Sequence, residues 1–541
     1  MRKPKLICIL LSALMLMSAL SGCARTEEDG GEGSFVLGAA VCGRLATLDP
    51  AMNTDARAQT VFCAMYENLM RAEKDEDGRI TAVPGIAKEY RTVENGDGTV
   101  DYIFTLRSSA RWSDGVRVKA KDFAYAWRRL ADPATGSPNC ALLSMVQGYD
   151  AVRETGDVSR LAVKSEGDTT LRVTLSAPCA YFLTEICTAV ATMPLRSDAV
   201  NKDPDWTATT GVLANGPYQL AVWAKADYIQ LRRNRSYYEN RAAGPDVLRF
   251  LFCANASESW EAFESGRADL VLDPPQTAEG GVVPLRGTVC VLYNHMSELF
   301  SNAHVRSAFD LALDRAAIAD AVGTGAAPAT GLVPPNILSA SEEDFRTEGG
   351  VLCATDAEGY SMRCLSAEGE LRNGGYWGAV GFPTISCLYV AGDEARLAAA
   401  AVAAMWHERL KVPVTTEGVP REEFDRRLLA GEYEVAVDTL AAPSGDAMEY
   451  LAPFAGTDGS NASHYVSTPF DLLIGVASTS RDPVARDAFL HDAETLLLED
   501  TALSPLYFTA ERYALREGIA GLHADPRGNL RFLGVTRASG A

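Results

Sequence analysis

TISCLYV (384–390), GDEARLAAAAVAAMWHERL (392–410), KVPVTTE (411–417), REEFDRRLLAG (421–431) and YEVAVDTL (433–440) follow one another with little between them. The first, third and fifth segments are short and carry the β-branched and aromatic residues that suit a pleated surface. The second and fourth are built from Ala, Leu, Glu and Arg, all strong helix formers. Neighbouring parallel strands need a crossover long enough to hold a helix. The order strand, helix, strand, helix, strand therefore predicts an α/β unit with a mainly parallel sheet.

A further helix is predicted over 482–500 (DPVARDAFLHDAETLLLED), with Asp482 as N-cap and Pro483 at the first helical position. Toward the N-terminus the pattern changes to short strands separated by turn signals. TVDYIFTLR (99–107) follows ENGDG, TLRVTLS (170–176) follows EGD, and DYIQLRRN (227–234) follows a polar break. KAKDFAYAWRRL (119–130) mixes bases with aromatics. Phe123 and Trp127 stand four apart, so it reads as an amphipathic helix with both rings inward rather than a nucleic-acid contact. No repeat of 20–50 residues is visible.

The start of the chain has a different character. Arg2, Lys3 and Lys5 precede the apolar run Leu6 to Leu20, which ends in LSGC (20–23). A run of 15 residues is short for a membrane span, which needs about 20, but suits a secretory signal. LSGC looks like a bacterial lipobox, in which the cysteine is acylated and becomes the new N-terminus. Cys23 is therefore expected to be a lipid anchor rather than a disulfide half or a buried thiol. Residues 1–22 would be the signal peptide and 23–34 a flexible tether of Gly, Glu, Ser and Thr. The remaining 519 residues suffice for two or more domains. The net charge of −21 becomes −24 without the three basic signal residues. Such a surface repels nucleic acid and anionic lipid headgroups. The expected location is the outer face of the bacterial cytoplasmic membrane, with a soluble body on a lipid anchor.

Ten cysteines follow the anchor, at 42, 63, 140, 179, 187, 253, 290, 353, 364 and 387, and none form a CxxC pair. An exported compartment permits disulfides. Cys353 and Cys364, in a loop-like segment rich in Gly, Glu and Ser, are the expected local pair. The alternative is that most of the ten are small buried apolar residues. Catalytic signatures are missing. There is no GxSxG and no Walker A motif. His407-Glu408 begins like a zinc-protease helix, but Lys411 stands where the second histidine is needed. Gly323 and Gly325 lack the third glycine of a dinucleotide loop, and the six histidines show no metal-ligand spacing. A binding function without metal or cofactor is favoured over an enzyme.

The order of motifs along the chain resembles the family 5 extracellular solute-binding proteins, the oligopeptide- and dipeptide-binding components of bacterial ABC importers. It is carried by TLDPAMNTD (47–55), YENLM (66–70), a nearly continuous stretch from Pro84 to Pro138, LSAPCAYFL (175–183) and NGPYQLAVW (215–223). WEAFESGRADL (260–270), VRSAFDLALDRAAI (305–318), FDRRLLAGEYEVAV (424–437), SHYVSTPFDLL (463–473) and AETLLLEDTALSPLYF (493–508) complete it. The resemblance implies a periplasmic-binding-protein-like fold of two α/β lobes with a hinge and an extra inserted domain. Lobe I would combine 35–69, 205–289 and 485–541, the extra domain 70–204, and lobe II 290–484. It implies a monomeric receptor that closes on a peptide or peptide-like solute and delivers it to the importer's permease. The same fold acting as a sensor, or holding a non-peptide solute, is the alternative. A surface hydrolase is disfavoured.

The resemblance also places a site. Such ligands lie extended and are held through their backbone as an added strand. The first contact strand would be Gly43 to Ala46, with Leu45 at the backbone-contact position. The second would be VDTLAAPSGD, with Thr439 and Ala441 supplying backbone groups. The family's aspartate for the peptide's α-ammonium falls on Pro443, its tyrosine on Ser444, a nearby tryptophan on Leu440 and a later acid on Asp446. Another acid would then have to meet a ligand amine. Asp438, near the carboxyl end of a predicted parallel strand, is the first candidate and Asp446 the second.

Overall fold

Two strands of 13 residues, Gly281–Tyr293 and Leu503–Leu515, run through the middle of a sheet that has eleven strands among the described residues, the short Ala327–Pro328 pairing beside Leu503–Leu515, and they organise the molecule. The computed structural model describes residues 34–55, 58–76, 79–203, 205–207, 211–376, 382–442, 445–456 and 458–538. Cys23, the signal segment, Pro443 and Ser444 lie outside them. On one side of the long pair the sheet continues through Val435–Ala441, Ile385–Val390 and Val414–Val419. On the other side it continues through Leu270–Leu272, Val36–Cys42, Val247–Cys253, Tyr228–Arg233 and Tyr218–Ala224.

The half containing Val435–Ala441 is the α/β unit expected from the opening segments. Ile385–Val390 pairs in parallel with both Val414–Val419 and Val435–Ala441. Period-two alternation sends Val289, Val291, Val435 and Val437 into one core and Cys290, Leu292 and Ala436 into another. A sheet buried on both faces needs a helix on each. Asp393–Leu410 covers the first with Ala398, Val402 and Trp406, and Arg421–Leu429 covers the second with Phe424 and Leu428. Helix Pro483–Glu499 adds Leu490, Ala493 and Leu497 to the second core, and Asp482 caps it by accepting from Val484 N at 3.0 Å.

A four-stranded antiparallel sheet stands apart: Ala87–Glu94, Val100–Leu106, Thr170–Leu175 and Val163–Glu166. Helix Ala120–Ala131 packs on it with Phe123 and Trp127 fully buried, and Trp127 Nε1 donates to the Thr192 carbonyl oxygen at 2.8 Å. These residues share one core with the Val36–Cys42 half of the main sheet. The long strands break register between Pro284 and Thr288, leaving Leu285, Arg286 and Gly287 out of the Leu503–Leu515 ladder.

Three local expectations change. The ten described cysteines are all free. Cys353 is buried, with its N–H donating to the Thr330 carbonyl oxygen at 3.0 Å, while Cys364 rides on helix Tyr360–Asn373, so the expected pair does not form. The strand expected from Lys411 begins at Val414, because Lys411 adopts a left-handed conformation (φ 58°) and caps helix Asp393–Leu410. Gly43 to Ala46 is not a strand: Val36–Cys42 ends just before Gly43, whose φ of +95° turns the chain.

Candidate functional site

The carboxyl end of Val435–Ala441 projects past its neighbour. Val435, Ala436 and Val437 pair with Cys387, Leu388 and Tyr389. Asp438 to Ala441 pair only on the opposite side, with Gly287 to Cys290. On the free side no strand among the described residues covers them. Asp438 and Thr439 there enter the wall of a cavity of about 780 Å³. Val390 to Glu394 and Arg421 also come from this half of the sheet. Leu272 to Gln276 and Arg527 to Leu530 come from the other half, and the long strands add Val289, Tyr507 and Ala510 to Arg512. Residues from both halves of the sheet thus line this one cavity.

Asp438 is engaged. Arg421 reaches it with two guanidinium nitrogens, at 2.8 and 3.2 Å, and the Thr439 N–H donates to the same carboxylate at 2.8 Å. The side chain is 13% exposed. Burial pushes its carboxyl above the usual range, and the Arg421 guanidinium only partly counters this. An open edge donor, the N–H of Thr439, is thus covered by the neighbouring side chain. Thr439 is exposed and lines the cavity. Leu440 packs partly against the second core, and Ala441 pairs with Gly287; neither lines the cavity.

The other expected residues separate. Asp446 is 10% exposed at its side chain and fully occupied. It caps helix Ala447–Leu451 by accepting from Met448 N, holds Arg486 at 2.6 and 3.0 Å, and accepts from the Tyr181 hydroxyl at 3.0 Å. It does not line the cavity. Leu45 is buried in a small apolar recess of about 30 Å³. That recess shares Thr60, Leu272 and Leu530 with the larger cavity. Leu45 and Asp438 thus flank adjoining spaces.

Two features escaped sequence reading. Tyr507, fully buried, directs its hydroxyl to Glu394 Oε1 at 3.1 Å and so orients an acid at the cavity wall. Glu185, 0% exposed, binds Arg286 at 2.6 and 2.9 Å and Arg527 at 2.6 Å. Its partners are 101 and 342 residues away, too far for any local pattern to announce them. The cavity wall contains no Ser, Cys or His among the described residues, and no group of three metal-ligating side chains occurs among them. What the wall offers is an open strand edge, arginines, acids and apolar surface, a set suited to holding a polar solute.

Residues 81–462 match the model of the bacterial extracellular solute-binding proteins, family 5 (middle). The chain belongs to this family. Among its relatives are the dipeptide-binding protein DppE of Bacillus subtilis, 26% identical over 95% of this chain and 96% of that protein, and the periplasmic oligopeptide-binding protein OppA of Salmonella typhimurium, 28% identical over 90% and 89%. The structure of Haemophilus influenzae OppA in complex with RPPGFSPFR superposes with a TM-score of 0.71, at 23% identity over 94% of this chain and 100% of that one. The family 5 fold, with two α/β halves and an added domain, is therefore the fold of this protein. Among the described residues of this family 5 protein no helix is long and apolar enough to cross a membrane.

Proposed function

We propose that this protein is a lipid-anchored receptor that captures peptides or peptide-like solutes in the cavity between its two lobes and delivers them to an ABC permease. The observation that carries this reading is the uncovered edge of Asp438 to Ala441 beside the cavity, where an extended ligand can add as a strand. The names of its relatives, a dipeptide-binding and an oligopeptide-binding protein, support the ligand class. On this reading Thr439 supplies its carbonyl oxygen, because its N–H is held by Asp438, Ala441 supplies backbone groups, and Leu45 flanks the far wall. Asp438 and Arg421 act as a pair, so an amine reaching Asp438 has to compete with a guanidinium. Asp446 stays structural.

Lobe I comprises 35–69 and 205–289 with the C-terminal segment, the extra domain 70–204, and lobe II the residues from 290. The boundary between the lobes is expected near 485 from the resemblance; the packing of helix Pro483–Glu499 into the core of the second half supports a return crossing within Leu503–Leu515 instead. Pro443, at the position of the family's ammonium-binding aspartate, favours a second reading in which the solute lacks a free N-terminal amine.

Native mass spectrometry of the protein extracted from membranes tests the proposal. The expected result is a releasable small-molecule mass of peptide-like composition and acyl chains on Cys23. A protein with no acyl mass, or one that neither carries nor takes up any peptide, overturns the corresponding part.

A further inference from the structure

We infer that Arg527 is the residue with which this cavity recognises a carboxylate on its ligand, an inference that rests on the solute-binding reading above. Arg527 stands on a fixed turn. Asp525 accepts from the backbone N–H of Arg527 at 3.0 Å and of Asn529 at 2.9 Å. Gly528, at φ +88°, lies so near Leu285 that a Cβ there would meet its Cδ2 at 2.7 Å.

From this turn the guanidinium enters the buried Glu185 cluster. Its Nη2 donates to Glu185 Oε2 at 2.6 Å and to the Glu185 carbonyl oxygen. The same carboxylate is already held by both Nη groups of Arg286, whose side chain is 9% exposed. Two guanidinium groups thus share one carboxylate, and the neighbouring Asp525 carboxylate is paired with Arg531 at 2.7 Å. Arg527 is the member that lines the cavity, and its Nη1 has no hydrogen-bond partner among the described residues. Burial holds the Arg527 pKa below its ordinary value; the Glu185 carboxylate opposes this, the Arg286 guanidinium adds to it, and an arriving anion would relieve the penalty.

The other two arginines of the wall are committed. Arg421 holds Asp438 and Asp425, and Arg512 donates to the carbonyl oxygens of Pro275 and Ala278. A ligand carboxylate can come from a peptide C-terminus or from an acidic side chain. Either would make a charge-assisted hydrogen bond with Nη1 in a partly desolvated place.

The test uses the whole protein and a defined tetrapeptide library. Half of the library is C-terminally amidated, and each half contains Glu members and matched Gln members. Retained peptides are quantified by mass spectrometry. Wild type is expected to retain carboxylate-bearing members about tenfold over their uncharged counterparts. Arg527→Gln should abolish that preference while still retaining peptides, and Arg527→Lys should keep part of it. Discrimination between acid and amide ends assigns the C-terminus as the source, and discrimination between Glu and Gln assigns the side chain. Peptides retained by wild type without a carboxylate preference, or with the same preference in Arg527→Gln, overturn the role of Arg527 and leave peptide binding standing. Retention of no peptide overturns both. Should Arg527→Gln fail to fold, the wild-type preference and the Arg527→Lys variant still decide.

Discussion

His295 donates from Nε2 to the Ala502 carbonyl oxygen at 3.0 Å and meets the Tyr465 ring edge-on at 5.3 Å. Burial, with the nearby Arg306 guanidinium, pushes its pKa down to about 4. The unfolded chain titrates this imidazole near 6.5, so on acidification the unfolded state takes up the proton first. Stability is full above about pH 6.5 and is lost as pH falls toward 4, by roughly 3 kcal/mol for this one group. Melting temperatures measured across that window should fall less steeply in His295→Gln than in wild type; parallel curves would show that the imidazole does not carry the effect. At this scale the resemblance pointed to Thr439 and the strand pattern to Asp438, and both line the cavity. It could not show that Arg421 occupies the Asp438 carboxylate, because that contact depends on how a helix settles on a sheet.

Elements were the most legible level. The helix over 392–410 and the strands around it follow from composition and period alone, since helix formers and β-branched runs carry local preferences. Asp482 and Pro483 announced the start of the next helix, and the cap is present. Asp482→Ala removes the acceptor for Val484 N and should cost about 1 kcal/mol, seen as a lower midpoint in urea with an unchanged slope. An unchanged midpoint would mean that the packing of Leu490, Ala493 and Leu497 alone defines the helix start. Where elements were misread, a neighbour decided the outcome. Lys411 was absorbed into a helix cap, and Cys364 into a helix that Gly, Glu and Ser composition had disguised as loop.

Across the whole molecule, the long strands Gly281–Tyr293 and Leu503–Leu515 join the halves, and their register breaks between Pro284 and Thr288. Strand ends and irregular positions are where hinge motion is absorbed. Gly287 lies in this break, and a Cβ there would meet Thr509 Oγ1 at 2.7 Å. A solute gripped from both halves should therefore compact the protein, read as a smaller radius of gyration by small-angle scattering with peptide present. Saturating peptide with an unchanged radius of gyration would argue against closure.

Local preference and motif order were sufficient to determine the α/β class, the family and the run of elements, because these depend on residues close in sequence. The cavity, the open edge of Asp438 to Ala441, the Asp446 cluster with Tyr181 and Arg486, and the pairing of Glu185 with Arg286 and Arg527 were decided only in three dimensions. A buried charge requires a partner wherever the folded chain can bring one. The partner's place in the sequence is set by the packing of whole elements, so no local pattern records it.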